Sequence, residues 1–443
     1  MLILCNVQDL LCVHYPLLQI KGKLAPFCGC SEVVVRTDRV LDSHFWRLCG
    51  SNFKAFVPLR LGWNRVECSC KHCSIDCRLC YSPAQDAFNV VQPLYVVCSD
   101  GNGTFQNENG YNSGSPESAV RRIGFAVQLL QSLTAESFFS EYGQRYTFAC
   151  KEDRAELICR LHRSRLTCTE IYGSQPIDVW SKLARELCIA YPQAFVNTKW
   201  IVFMADTRFT APESQSNLTY QELSKFAKAH FALGAGGMAL LGTATLHAWP
   251  EDLGSLNMAL WNTRRIDHST VMDDTAYRHT YWAAFATGLG SVWHELGHCL
   301  GLDHSPEGIM NRGGDDVHLC IAFPPIGSTC GHGCDKLGPM KSTGGVEFIP
   351  LRLNPRPPVP TALQHERCIL RHQPEAADTD RPSTAFNPWG LCHSLWHQGS
   401  AFWGHEQIVK LLKSRWIFCA SSVAKGSDYV GMKRKVTVDA CPT

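Results

Sequence analysis

The sequence predicts an α+β fold: a β-rich N-terminal domain, read as a small sandwich over residues 1–91, then a mixed sheet-and-helix domain over 92–319. Three observations carry that reading. Strand-like runs dominate the first of these stretches. A capped, strongly periodic helix begins at Ser115. A second helix, around residues 285–300, has an apolar stripe on one face and histidines on another. At 443 residues the chain can bury two or three separate cores.

In chain order, Glu32-Val33-Val34-Val35-Arg36 is rich in β-branched residues, and Phe53 to Leu61 alternates until Gly62 closes it; both read as strands. Asn107 to Ser115 reads as a Gly/Asn/Ser linker. Ser115-Pro116-Glu117 is a helix start, with an N-cap, a proline at the first helical position and an acid in the first turn. That helix runs to about Ser140 and presents Val120, Ile123, Val127, Leu130 and Leu133 on one face. Gln144 to Cys150 predicts a strand, Ile177 to Ala190 a helix and Trp200 to Met204 a buried strand. Gln221 to Phe231 predicts a short helix ahead of Gly234-Ala235-Gly236-Gly237, a glycine-rich loop that lacks the Lys-Ser/Thr of a phosphate-binding loop. Met238 to Trp249 predicts a strand. Residues 320–385, rich in Pro and Gly, read as an irregular insert, with Cys330-x-His332-x-Cys334 a weak metal triplet inside it. Residues 386–443 read as a C-terminal segment closing the second domain, helical from Trp403 to Phe418.

The chemistry concentrates in residues 294–304, which spell H-E-x-x-H-x-x-G-x-x-H. Histidines four apart share one helix face, so His294 and His298 can reach a single ion. Gly301 suits a left-handed helix stop that turns the chain and brings His304 back as a third ligand. Three protein ligands leave a fourth position on Zn²⁺ for water, and Glu295 lies where it can hold that water and take its proton. With 18 His, 34 Gly and 40 acidic residues in the chain, five such positions coincide by chance on the order of 10⁻⁴ times, so the spacing is informative. Phe285, Leu289, Val292, Trp293, Leu296 and Leu300 form the apolar stripe, while Thr287, Ser291, His294 and His298 form a polar one facing a cleft. Gly288, Gly290 and Gly297 each cost about 1 kcal/mol of helix propensity, which implies close packing against neighbours.

This segment resembles the metzincin zinc metallopeptidases, whose fold is that of the zincins. Gly308-Ile309-Met310-Asn311-Arg312-Gly313 follows at the distance of the matrix-degrading branch, and Met310 looks like the methionine that forms an apolar floor under the metal. A narrower resemblance, to a little-characterised eukaryotic family of zinc metallopeptidases, rests on Asp274 to Trp282, Ala286 to Val292, Arg121-Arg122-Ile123 through Thr134-Ala135-Glu136, and Phe53 to Asn64. That likeness implies the fold more than the substrate. It implies a zinc-dependent endopeptidase acting on a peptide or protein, with the Met238 to Trp249 strand at the sheet edge along the cleft, where an extended peptide could pair. Tyr281 is a candidate helper for the oxyanion. One of Asp273, Asp274, Asp315 and Asp316 could orient a ligand imidazole. His247, His268, His279 and His318 read as surface or core residues. No cysteine stands in a latency-switch motif. The alternative is a catalytically silent, zinc-stabilised protein that binds a protein or glycan partner; the intact Glu295 argues against it.

A formal charge of +2 with 45% hydrophobic and 19% charged residues points to a soluble globular chain, with no nucleic-acid or membrane partner. Met1 to Val13 lacks a basic start and is interrupted by Asn6, Gln8 and Asp9, unlike a signal peptide. That favours the cytoplasm. The 23 cysteines argue the other way, for secretion, where the Asn102 and Asn217 sequons would matter. Cys68, Cys70, Cys73, Cys77 and Cys80 form the densest cluster, a possible site for a second, structural zinc through the Cys77/Cys80 spacing.

Overall fold

A computed structural model describes residues 1–323 and 399–423, apart from 26–27, 39, 85–87, 154–155, 158, 195 and 214–217. Most of the expected insert at 320–385 lies outside the described residues, as do Asn217 and the Cys330–Cys334 triplet.

The N-terminal strands divide into two sheets. Leu2–Leu4, Leu17–Leu24 and Asn52–Pro58 pair antiparallel in the smaller one. Glu32–Thr37, Val40–Arg47, Gly62–Ser69 and Ser74–Tyr81 pair antiparallel in the larger one, which Leu11–Val13 joins parallel to Ser74–Tyr81. Asn52–Pro58 is buried at every position except its last. Lys54 tolerates this because its Nζ donates to the Leu319 carbonyl at 2.6 Å and lies 4.7 Å from the Phe323 ring centre.

A central sheet organises the rest. Its order is Ala232–Ala235, Met238–Gly242, Thr198–Met204, Val90–Val97, Tyr146–Cys150, Ile417–Cys419, with parallel pairing inside and antiparallel pairing at both ends. Arg160–Arg163 adds a short parallel pairing to Val90–Val97. Side chains alternate across this sheet, as the two-residue strand period requires. Tyr95, Val97, Ile201 and Phe203 enter the main core, while Leu94, Val96, Val202 and Met204 enter a second one. Helix Pro176–Ala190 covers the second face with Val179, Leu183 and Leu187. Helix Pro116–Tyr142 connects Val90–Val97 to the parallel strand Tyr146–Cys150 and packs on the first face. Ser115 caps it by accepting from the Ser118 N–H, and Gly143 ends it at φ 68°. Nearly every residue of this helix from Ile123 to Phe138 is buried, so it runs through the core.

Several elements differ from the sequence reading. The linker at 107–115 is a hairpin, Phe105–Asn107 with Gly110–Gly114. The helix at 221–231 contracts to Tyr220–Ser224. The glycine-rich loop is a strand and a tight turn: Ala235 pairs with Met238 across Gly236-Gly237, and Gly236 adopts φ 49°. That hairpin places Ala232–Ala235 outside Met238–Gly242, so the sheet edge is the earlier strand. Residues Leu246–Ala248 are a 3₁₀ turn rather than strand. At the C-terminus, helix His405–Leu412 is shorter than the expected 403–418. The chain then pairs Ile417–Cys419 with Tyr146–Cys150 and Ser421–Val423 with Leu11–Val13, tying the central sheet to the larger N-terminal one. One apolar cluster accordingly runs from Leu2 to Ala420. No helix among the described residues is long and apolar enough to cross a membrane.

Candidate metal centre

Helix Tyr281–Cys299 carries the motif and lies along the edge strand Ala232–Ala235. Its low-propensity glycines are points of contact. A Cβ on Gly290 would run into the Gly314 carbonyl, and one on Gly297 into Met310 Sδ. Past Cys299 the chain reverses: Leu300 caps the helix, Gly301 takes φ 92°, and the Leu302 N–H donates back to the Gly297 carbonyl at 3.0 Å. This reversal returns His304 to the helix face bearing His294 and His298.

The three Nε2 atoms form a triangle with sides of 3.1, 3.2 and 3.3 Å. His294 Nδ1 lies 2.6 Å from the Ile309 carbonyl and His298 Nδ1 lies 2.9 Å from the Leu302 carbonyl. A carbonyl only accepts, so each Nδ1 carries the proton and each of these Nε2 atoms presents a lone pair. Burial keeps the rings neutral; it pushes His294 down to about 4 and lowers His298 and His304. Nitrogens about 2.0–2.1 Å from a tetrahedral zinc stand roughly 3.3 Å apart, so this donor set fits Zn²⁺. Met310 is buried against Gly297, between the two helical histidines in sequence. Its turn is held by the Ser305 N–H on the Met310 carbonyl at 3.0 Å and the Ile309 N–H on the Phe402 carbonyl at 2.8 Å.

Glu295 is 3% exposed, and desolvation pushes its carboxyl up to about 7. Its Oε2 accepts the backbone N–H of Gly234 at 2.5 Å. Position 234 must be glycine, because a Cβ there would collide with the Glu295 backbone carbonyl. Glu295 and His294 open, with Thr287 and Ser291, onto a cleft of about 990 Å³. It is also lined by Tyr220 and His230, whose hydroxyl and Nε2 are 3.0 Å apart, with Asp274 3.4 Å from that Nε2. The sequence offers no signal for Tyr220 or His230, since neither belongs to a spaced motif, and it marks Gly234 only as part of a glycine-rich run.

Other sequence candidates fall elsewhere. Tyr281 donates its hydroxyl to Glu108 at 2.7 Å and does not line the cleft. Asp273 binds Thr275 and His279, and Asp316 accepts the Ser400 N–H. The helical imidazoles are oriented by backbone carbonyls rather than by a paired acid. His247 and His318 are half-buried, whereas His268 and His279 flank Asp273 at the cleft. The five clustered cysteines divide: Cys68 and Cys77 point into the core, Cys80 lies on the opposite strand face beside Cys12, and only Cys70 and Cys73 stay together. Residues three apart in a strand cannot share an ion, which removes the Cys77/Cys80 pair.

The chain is similar to proteins whose names describe zinc metalloproteinases. A relative in Schizosaccharomyces pombe, named "Putative zinc metalloproteinase", is 25% identical over 340 residues, covering 70% of this chain and 52% of the relative. Another of the same description, from Saccharomyces cerevisiae, is 36% identical over 343 residues, covering 70% of this chain and 47% of the relative. The chain thus spans about half the length of the curated relatives it matches. Among solved structures, wild-type OgpA from Akkermansia muciniphila superposes with a TM-score of 0.32 at 12% identity over 52% of this chain and 56% of that one, a likeness too slight to carry weight. A family profile matches residues 1–324, and on that match the chain belongs to the zinc metallopeptidase family described as "Putative peptidase family".

Proposed function

We propose that this chain is a metzincin-type, zinc-dependent endopeptidase acting on peptides or proteins. The observation that carries the reading is the convergence of three imidazole Nε2 atoms within 3.3 Å of one another, with Glu295 opening onto the same cleft as His294. A zinc ion held by His294, His298 and His304 would supply Lewis acidity, lowering the pKa of a coordinated water toward about 7 and polarising a carbonyl. The Glu295 carboxylate takes a proton from the attacking water and returns it to the leaving amine nitrogen. The Gly234 N–H holds one of its oxygens and leaves the other for that exchange. Ala232–Ala235, outermost in the sheet and beside the cleft, suits an extended peptide docked as an added strand. Met310 against Gly297 supports the reading of an apolar floor, and two N-terminal sheets sharing one core support that of a small sandwich.

The test is Glu295→Ala, assayed on an unbiased peptide library beside its zinc content. Cleavage should fall by roughly 10²–10⁴-fold, the usual worth of a general base, with zinc retained. A variant that cleaves like the parent overturns the mechanism.

A further inference from the structure

A second group of metal-ligand side chains stands far from the motif, in the N-terminal part of the chain. Cys28 Sγ lies 3.6 Å from Cys30 Sγ and 3.5 Å from Cys70 Sγ, and Cys70 Sγ lies 3.5 Å from Cys73 Sγ. The sulfurs of Cys28, Cys30 and Cys70 are all within 4.8 Å of one another. We propose that Cys28, Cys30, Cys70 and Cys73 hold a second, structural zinc ion.

The spacing of Cys28, Cys30 and Cys70 is that of ligands around a metal, and Cys73, outside that mutual set but 3.5 Å from Cys70 Sγ, is the fourth thiol in reach. Four sulfurs about 2.3 Å from a tetrahedral zinc stand about 3.8 Å apart, whereas a disulfide brings them to about 2.05 Å. The local backbone is shaped to the same end. Gly29 adopts φ 66°, which lets thiols two residues apart turn toward one point. Cys70 and Cys73 sit at the tip of the hairpin between Gly62–Ser69 and Ser74–Tyr81, closed by the Cys70 N–H on the Cys73 carbonyl at 2.9 Å. Backbone N–H groups of His72 and Cys73 point at Cys70 Sγ, as they do where a thiolate must be stabilised. All four side chains are half-buried against the main core.

The position gives such an ion a purpose. Cys28 and Cys30 lie on the crossing between Leu17–Leu24 of the smaller sheet and Glu32–Thr37 of the larger one. Cys70 and Cys73 belong to the larger sheet. An ion there clamps the crossover to the hairpin tip and joins two sheets whose strands, among the described residues, do not pair with one another. This proposal does not depend on the peptidase reading, because it uses none of the same residues.

The experiment is metal analysis of the whole chain, purified in reductant without chelator. The parent should hold two zinc ions, the Cys28→Ser/Cys70→Ser variant one, and the His294→Ala/His298→Ala variant one. Since the cysteine variant could fail to fold, cobalt is then loaded into the histidine variant, whose thiol cluster is intact. It should show the near-ultraviolet charge-transfer absorption of thiolate bound to cobalt. A cysteine variant that keeps as much zinc as the parent, a histidine variant with none, a cobalt spectrum without thiolate absorption, or peptide mapping that finds these cysteines in disulfides would each overturn the proposal. Loss of peptide cleavage in the histidine variant alone bears on the other site and leaves this one standing.

Discussion

Glu295 and Gly234 show how tightly single residues are set at the cleft. Glu295 is legible in the sequence because its place beside His294 on a helix already defines a base next to a ligand. Gly234 is not, because it lies 61 positions before Glu295 and meets it only once the chain has folded. Its missing side chain lets the edge strand touch the motif helix, and its N–H orients the carboxylate. Gly234→Ala should lower stability by about 1–3 kcal/mol through overpacking, read from the urea midpoint. Cleavage should drop while zinc content stays near the parent level, because the carboxylate and not the histidines loses its anchor. Parental stability and cleavage together would mean that the strand yields freely. Tyr220 and His230 are invisible in sequence for the same reason, as lone polar residues that only packing brings to the cleft Glu295 lines.

Single elements carry stability that their periodicity understates. Helix Pro116–Tyr142 was legible from its cap and apolar spacing, but it also carries a buried acid. Glu136, 3% exposed, accepts from Arg145 Nε at 2.8 Å and Asn6 Nδ2 at 2.8 Å, and lies 3.6 Å from Lys21 Nζ. The helix is thereby bonded to the smaller N-terminal sheet. Glu136→Ala leaves two buried cations without their carboxylate and should cost about 3–5 kcal/mol, measured by chemical denaturation. The 3₁₀ turn Leu246–Ala248 sets a pH dependence. Burial pushes His247 down to about 4, whereas an exposed histidine titrates near about 6.5. Between those values the unfolded chain binds more protons, so stability is full above about pH 6.5 and is lost as pH falls toward 4. His247→Phe should flatten the fall of melting temperature over that window relative to the parent. An unchanged slope would assign the acid sensitivity to other groups. A turn in place of the expected strand was hard to foresee, because Thr243 to Trp249 is apolar enough for either.

For the molecule as a whole, the decisive feature is the returning C-terminal segment. Trp403 stacks edge-on against Trp293 at 5.4 Å and covers Gly297, while Ile417–Cys419 and Ser421–Val423 each complete a different sheet. A chain ending before residue 400 should lose cooperative unfolding and its zinc together, checked by calorimetry and metal analysis. Trp403→Ala should cost about 3–5 kcal/mol for the buried ring it removes. A truncated chain that unfolds cooperatively with zinc bound would show that the return is dispensable. The motif helix, the ligand spacing, the capped helix and most inner strands were legible in the sequence, because each depends on side chains a few residues apart. Such spacings translate directly into one helix face or one strand face. The edge strand, the hairpin at 105–114, the carbonyls that orient the imidazoles and the meeting of Cys28 and Cys30 with Cys70 and Cys73 were decided by tertiary structure alone. Each joins residues that are remote in the chain or ambiguous between turn and strand. Only the packing of complete elements sets their distance and direction.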